Sequence, residues 1–136
     1  KKISHGKRSQ VSDDFMIIAR VESFILGKGI ADALKRAYSY IEAGADGIMI
    51  HSKDKEGEDI KKFCKEFRIK NQTTPIVVVP SSYNHFYEKD FVEWGANIVI
   101  YANHLLRASY NSMLKTAETI LKNLSHYFDS SLDDIV

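Results

Sequence analysis

Four short apolar runs, rich in isoleucine and valine, recur along the chain. They cover residues 15–19, 47–50, 76–79 and 97–102. Their apolar residues do not alternate with polar ones, which is typical of strands that are covered on both faces. We therefore predict four buried strands in a parallel sheet.

A segment with helical spacing of its apolar residues follows each predicted strand. Residues 30–43 show this spacing and are followed by Gly44, a natural helix stop. The other predicted helices cover residues 58–67, 87–94 and 105–124, and Gly95 closes the second of these three. The chain thus reads as four consecutive strand–helix units, an α/β pattern.

The length of these units indicates which α/β fold they build. The predicted strands end near Glu22, His51, Pro80 and Asn103, so that the ends are 29, 29 and 23 residues apart. A (β/α)8 barrel has units of about 25–30 residues and a total of about 250 residues. A doubly wound sheet shows the same alternation. Four units are half of a barrel, and an unclosed half leaves two sheet edges unpaired.

Polar residues follow each predicted strand at its carboxyl end. In chain order they are Arg20, Glu22 and Ser23; His51, Ser52 and Lys53; Ser81, Ser82 and Tyr83; and Tyr101, Asn103 and His104. Parallel α/β folds build their sites at this edge, from several strands at once. Arg20 and His51 therefore predict an anion-binding pocket.

The same residues also allow purely structural interpretations. Arg20 and Glu22 are two positions apart and face the same side of a strand, so that they could simply pair with each other. His51 and the serines could be loop or helix-cap residues, and Asn103 could cap the last helix. Cys64 lies on an apolar helix face, which indicates a core position.

Composition and charge narrow the function only by exclusion. The chain has 136 residues, of which 44% are hydrophobic and 27% charged, as in one folded domain. Its net charge of +1 predicts neither a nucleic acid nor a membrane as partner, and the basic opening KKISHGKR is predicted to be a solvated segment. A single cysteine and the lack of a signal-peptide pattern favour a cytoplasmic protein.

Familiar catalytic signatures are missing from the sequence. It contains no Gly-rich phosphate loop, no nucleophile elbow, no HExxH and no cluster with metal-ligand spacing. Taken alone, the residues predict an incomplete anion pocket.

Three sequence blocks together resemble the phosphoenolpyruvate mutase family of the isocitrate lyase superfamily. They are ARVE at 19–22, AGAD with HSK within 43–53, and ANH with RA within 102–108. The resemblance covers most of residues 11–122. Lys28, Ser82 and Tyr101 depart from it, because the family commonly has Trp, Lys and Trp at these positions.

The resemblance implies a fold and a set of site residues. The family fold is a TIM-type (β/α)8 barrel, and the predicted strands match its strands five to eight. Residues 1–136 would then be the C-terminal half of one barrel domain. Arg20 matches the family's substrate-binding arginine, and His51 matches the histidine that contacts the phosphoryl group. The possible supporting residues are Glu22, Ser52, Ser82 and Asn103.

The resemblance also implies an activity. The family interconverts phosphoenolpyruvate and phosphonopyruvate, an isomerase step of phosphonate biosynthesis. Its nucleophilic aspartate and its acidic Mg²⁺ ligands would lie in the N-terminal half, so that no catalytic or metal residue is expected in this chain. The full-length protein would be a homo-oligomer.

Other activities stay open at this point. Phosphonopyruvate hydrolysis is closely related, whereas His51 argues against a 2-methylisocitrate lyase because that branch typically has glutamate there. The chain by itself could also be an inactive half-barrel that binds anions or self-associates through its open edges. We expect no mutase activity from the isolated chain.

Overall fold

The computed structural model describes residues 1–123 and shows four parallel strands alternating with helices. The elements are α1 (Lys2–Arg8), β1 (Ile18–Val21), α2 (Gly29–Glu42), β2 (Gly47–Ile50), α3 (Glu58–Lys70), β3 (Ile76–Val78), α4 (Glu88–Trp94), β4 (Ile98–Val99) and α5 (His104–Asn123). The strands pair in the order β1-β2-β3-β4, which confirms the predicted α/β pattern and parallel sheet. The chain divides into two units, Lys1–Tyr101 and Ala102–Val136; the sheet lies in the first and α5 in the second.

The first strand begins later than the apolar run predicts. Phe15 and Met16 are 66% and 45% exposed, and β1 starts only at Ile18. A polar contact sets this start, because the Asp46 carboxylate accepts the backbone N–H of Ile17 at 2.8 Å. Strands β3 and β4 are likewise shorter than their predicted runs.

Helices of the first unit pack against one face of the sheet, and the prediction that the strands are buried on both faces holds for β3 but not for β1. The core on that face combines side chains of α2, α3 and α4 with the strand residues Ala19, Val21, Ile48, Ile50, Ile76 and Val78. Alternation and register place Arg20, Met49, Val77 and Ile98 on the opposite face. Val77 is buried there, whereas Arg20 and Ile98 are exposed. The runs lack alternation because this second face is also largely apolar.

The helices agree with the predicted segments, and the glycine stops are confirmed. Gly44 and Gly95 have φ values of 98° and 96°, a left-handed conformation that disfavours any residue with a Cβ. The predicted end of the last helix, residue 124, lies outside the described residues. No helix within residues 1–123 is both long and apolar enough to cross a membrane.

Helix α1 corrects the prediction of a merely solvated basic segment. Its single apolar anchor, Ile3, packs against the core, and Lys7 binds Asp46 at 2.9 Å. The helix was not predicted because the partner of Lys7 is 39 residues away. In the core, Cys64 is fully buried as predicted, and burial raises the pKa of its thiol to about 12.

Arg68 ties the end of α3 to the two segments that lead into β3 and β4. Its guanidinium donates to the Gly95 carbonyl at 2.8 and 2.9 Å and to the Thr74 carbonyl at 2.9 Å. It also donates to the Asn71 carbonyl at 3.1 Å. One planar donor thus satisfies backbone oxygens that no regular ladder reaches.

Replacing Arg68 should destabilise the fold strongly. In Arg68→Met the aliphatic stem is kept, but partly buried carbonyls lose a charged donor, so we expect the free energy of unfolding to fall by about 2–4 kcal/mol. Urea denaturation measures the change, with Lys65→Met on the exposed side of the same helix as the matched control. Equal stabilities of the two variants would contradict the role assigned to Arg68.

Candidate anion-binding site at the carboxyl ends of β1 and β2

The register of β1 and β2 brings three predicted site residues together. Val21 lies opposite Ile50, and the backbone N–H of His51 donates to the Val21 carbonyl at 3.3 Å. Alternate residues of a strand share a face, so Arg20, Glu22 and His51 all point to the side away from the helices.

These three side chains form one hydrogen-bonded cluster. Arg20 Nε donates to Glu22 Oε1, and Arg20 Nη2 lies 2.6 Å from His51 Nδ1. Glu22 Oε2 lies 2.9 Å from the same Nδ1 atom. The side chains of Arg20, Glu22 and His51 are 50%, 37% and 30% exposed, so the cluster is open to a ligand. Arg20 is therefore paired with Glu22, as the structural interpretation predicts, and its guanidinium is also accessible, as anion binding requires.

The two contacts of His51 Nδ1 require different protonation of that atom, so they cannot both be hydrogen bonds at the same time. An arginine N–H can only donate and a carboxylate can only accept. Nδ1 therefore either carries a proton and donates to Glu22, or lacks one and accepts from Arg20. An anion that draws the guanidinium away would leave Nδ1–H bonded to Glu22. The cluster thus offers two alternative hydrogen-bond arrangements, one with Arg20 and one with Glu22 as the partner of Nδ1.

Glu22 stays ionised in this cluster. Partial burial raises the pKa of Glu22, but the hydrogen bonds from His51 and Arg20 outweigh this effect and lower the pKa below the usual value. Its negative charge holds the guanidinium in place while no anion is bound.

Of the other predicted supporting residues, two belong to the first unit and one to the second. Ser52 is buried and donates to Asp59 on α3, so it faces the helices and not the cluster. Ser82 is exposed in the segment after β3. Asn103 belongs to the second unit, where its φ is 61° and its carbonyl accepts the N–H of Arg107 at 2.9 Å.

Sequence reasoning missed the acidic residues behind the cluster. Asp32 and Asp59 bind Ser23 and Ser52 from the first turns of α2 and α3. The sequence pattern that could have predicted these pairs is a serine two positions after each of the first two strands and an aspartate in the first turn of the helix that follows. No group of three His, Cys, Asp or Glu side chains suited to a metal ion occurs within residues 1–123.

The difference in stability between the wild-type protein and Glu22→Gln should depend on pH. Glu22 has a lower pKa folded than its unfolded value of about 4.3, so the stabilisation is present above that value and is lost as pH falls through the lowered pKa. Because the site is exposed, we expect Glu22→Gln to cost less than about 1 kcal/mol at pH 7. Urea denaturation at pH 7, 5 and 3 should show this gap closing, while the exposed control Glu42→Gln shows no such trend. A gap that widens in acid would contradict the cluster.

Comparison with known proteins gives a consistent result. A family model described as phosphoenolpyruvate phosphomutase matches residues 1–121. The phosphoenolpyruvate phosphomutase of Tetrahymena pyriformis is 44% identical over 124 residues, which are 91% of this chain and 40% of that protein. The chain thus spans about two fifths of the length of this curated relative.

Solved structures share the fold over nearly the whole chain. The phosphoenolpyruvate phosphomutase from Streptomyces platensis subsp. rosaceus superposes with a TM-score of 0.85 at 35% identity, covering 99% of this chain and 45% of that one. A phosphonopyruvate hydrolase solved with oxalate and Mg²⁺ gives a TM-score of 0.86 at 34% identity, covering 98% and 47%. The four strand–helix units therefore match part of such a barrel, and the chain belongs to the phosphoenolpyruvate phosphomutase family of the isocitrate lyase superfamily.

Proposed function

We propose that the full-length protein is a phosphoenolpyruvate mutase and that this chain supplies one wall of its substrate pocket. The observation that carries the proposal is the accessible cluster of Arg20, Glu22 and His51 at the carboxyl ends of two adjacent parallel strands. The 44% identity to the Tetrahymena mutase supports the isomerase over its relatives. In this proposal, residues 1–136 are strands five to eight, the C-terminal half of the barrel domain.

The chemistry of the cluster suits a substrate with carboxylate and phosphoryl groups. A guanidinium presents parallel N–H donors that match two oxygens of one anion. When Arg20 turns to the substrate, Glu22 keeps Nδ1 of His51 as its partner and directs Nε2 of His51 outward. An N–H at Nε2 of His51 can then donate to a phosphoryl oxygen. Fixed donors of this kind stabilise the charge that develops on a phosphoryl group during transfer.

Magnesium enters this proposal from outside the described residues. A related hydrolase was solved with Mg²⁺ and oxalate, and the described part of this chain offers no carboxylate cluster for such an ion. We propose that the Mg²⁺ ligands and the nucleophilic aspartate belong to the N-terminal half of the barrel. Bound Mg²⁺ would offset negative charge on the substrate oxygens. The residues of this chain bind and orient the substrate.

Phosphonopyruvate hydrolysis is the second candidate. The hydrolase structure superposes as well as the mutase structure, with TM-scores of 0.86 and 0.85. The two reactions differ in whether the phosphoryl group returns to the pyruvate part of the substrate or passes to water. The cluster described above would serve both.

An assay of the full-length protein tests the proposal. With Mg²⁺ and phosphonopyruvate we expect phosphoenolpyruvate to form, followed by ³¹P NMR, and Arg20→Ala should lower kcat/KM by about 10²–10³-fold. Arg8→Ala, which removes an exposed arginine of α1, is the matched control and should leave kcat/KM unchanged. Clean release of phosphate and pyruvate would favour the hydrolase. Wild-type kcat/KM in Arg20→Ala would overturn the assignment of the site.

The isolated 136-residue chain should not turn over phosphonopyruvate. The cluster binds an anion, but the groups proposed to transfer the phosphoryl group lie in the other half of the barrel. The same ³¹P assay on the purified chain measures this, with the full-length protein as positive control. Turnover by the chain alone would show that its own residues contain the nucleophile.

A further inference from the structure

The buried polar side chains of the described residues occupy equivalent places in the fold. They are Ser23 and Ser52, with 1% and 3% of their surface exposed. Each lies two residues beyond the end of its strand, β1 at Val21 and β2 at Ile50. Burying a hydroxyl is unfavourable unless it has a hydrogen-bond partner, so a buried serine at both of these positions needs a physical reason.

Both serines bind an aspartate in the first turn of the helix that follows. Ser23 Oγ donates to Asp32 Oδ2 at 2.7 Å, and Ser52 Oγ donates to Asp59 Oδ2 at 2.6 Å. We call these two pairs, Ser23–Asp32 and Ser52–Asp59, the serine anchors. A hydrogen bond to a carboxylate is among the stronger ones in proteins. Each anchor therefore fastens a strand end to the next helix.

Each anchor is directly adjacent to a residue of the anion-binding cluster. Ser23 follows Glu22, and Ser52 follows His51. The hydrogen bonds to Asp32 and Asp59 show that each serine faces a helix, whereas the side chain before it takes part in the cluster. Pairing of β1 with β2 ends at Val21 and Ile50. Glu22 and His51 thus meet just beyond the last register pair, where the anchors hold the two backbones from behind.

Among the described strand ends, a serine stands at this position after β1 and β2, the strands that carry the cluster. Strands β3 and β4 end at Val78 and Val99, and the residues two positions further on are Pro80 and Tyr101. Pro80 has no hydroxyl, and the Tyr101 hydroxyl donates to Glu88 of α4, the helix before β4 and not the one after it, at 2.6 Å. The restriction to β1 and β2 associates the serine anchors with the contact between Glu22 and His51.

We propose that Ser23 and Ser52 are positioning residues that set the distance between Glu22 and His51. This inference rests on the proposed function of the cluster and deepens it. A 2.9 Å contact between side chains 29 residues apart requires both backbones to be fixed within a few tenths of an ångström. Ser52, predicted as a possible supporting residue, would in this proposal act from the helix side, through the position of His51.

Amide hydrogen exchange tests the proposal without any need for activity. In full-length Ser52→Ala we expect the His51 amide, which donates to Val21, to exchange about tenfold faster. The Ile48 amide of the same strand donates to the Pro75 carbonyl at 2.9 Å and should keep its rate. Ser39→Ala, at an exposed position of α2, is the matched control and should change neither rate. Unchanged exchange at His51 would overturn the proposal, as would an equal acceleration at Ile48.

A second pair of variants isolates the hydrogen bond and covers the case in which Ser52→Ala fails to fold. Asp59→Asn keeps an oxygen that accepts from Ser52, whereas Asp59→Ala removes it. Both lose the same charge from the first turn of α3. We expect near-wild-type His51 exchange in Asp59→Asn and about tenfold faster exchange in Asp59→Ala. Identical rates in the two variants would overturn the proposal.

Oxalate affinity connects the anchors to the binding site. By calorimetry in the presence of Mg²⁺, Ser52→Ala of the full-length protein should bind oxalate about tenfold more weakly than Ser39→Ala. Equal affinities in these variants would contradict positioning. If even the wild-type protein neither binds oxalate nor turns over phosphonopyruvate, the proposed function fails, while the exchange experiment still decides whether the anchors hold His51.

Discussion

The parallel pairing of β1 with β2 in a single register is the constraint on which the candidate site depends. The pairing of Val21 with Ile50 places Glu22 beside His51. Arg20 precedes Glu22 by two residues and therefore lies on the same face. A slip of one residue would turn His51 towards the helices and bring Ser52 to the cluster. The contact between residues 22 and 51 exists only in the observed register.

Contacts at both ends of these strands maintain that register. At the amino end, Asp46 accepts the N–H of Ile17 and the ammonium of Lys7, which joins α1, β1 and the entry to β2. Those same hydrogen bonds, led by the one from Ile17, lower the pKa of Asp46, so the carboxylate is charged at neutral pH. At the carboxyl end, hydroxyl–carboxylate pairs tie the strands to the following helices. Apolar burial on the helix-covered face supplies the main driving force between these polar ends.

Local patterns were sufficient to predict the four strand–helix units and to select the strand ends at which the candidate site was expected. Isoleucine and valine runs mark strands, helical spacing marks helices, and the strand-end rule selects Arg20 and His51. Contacts between distant residues account for what was missed. Helix α1 depends on Lys7 meeting Asp46, and the start of β1 depends on Ile17 meeting the same carboxylate.

The orientation of Ser52 was open to prediction, although Ser52 was named only as a possible supporting residue. It stands next to His51 and therefore faces the opposite side of the strand, a consequence of alternation that residue type alone conceals. The contacts of both Arg20 and Glu22 with His51 Nδ1 could not be predicted from the sequence, because they depend on side-chain positions that bring these atoms within 2.6 and 2.9 Å.

The most direct test of the central claim is a crystal structure of the full-length protein with Mg²⁺ and oxalate. We expect the Arg20 guanidinium to leave His51 and to contact an oxalate oxygen, while Glu22 stays within hydrogen-bond distance of His51 Nδ1. A complex in which oxalate is bound elsewhere, with Arg20 still in contact with Glu22 and His51 as in the structure described above, would contradict it.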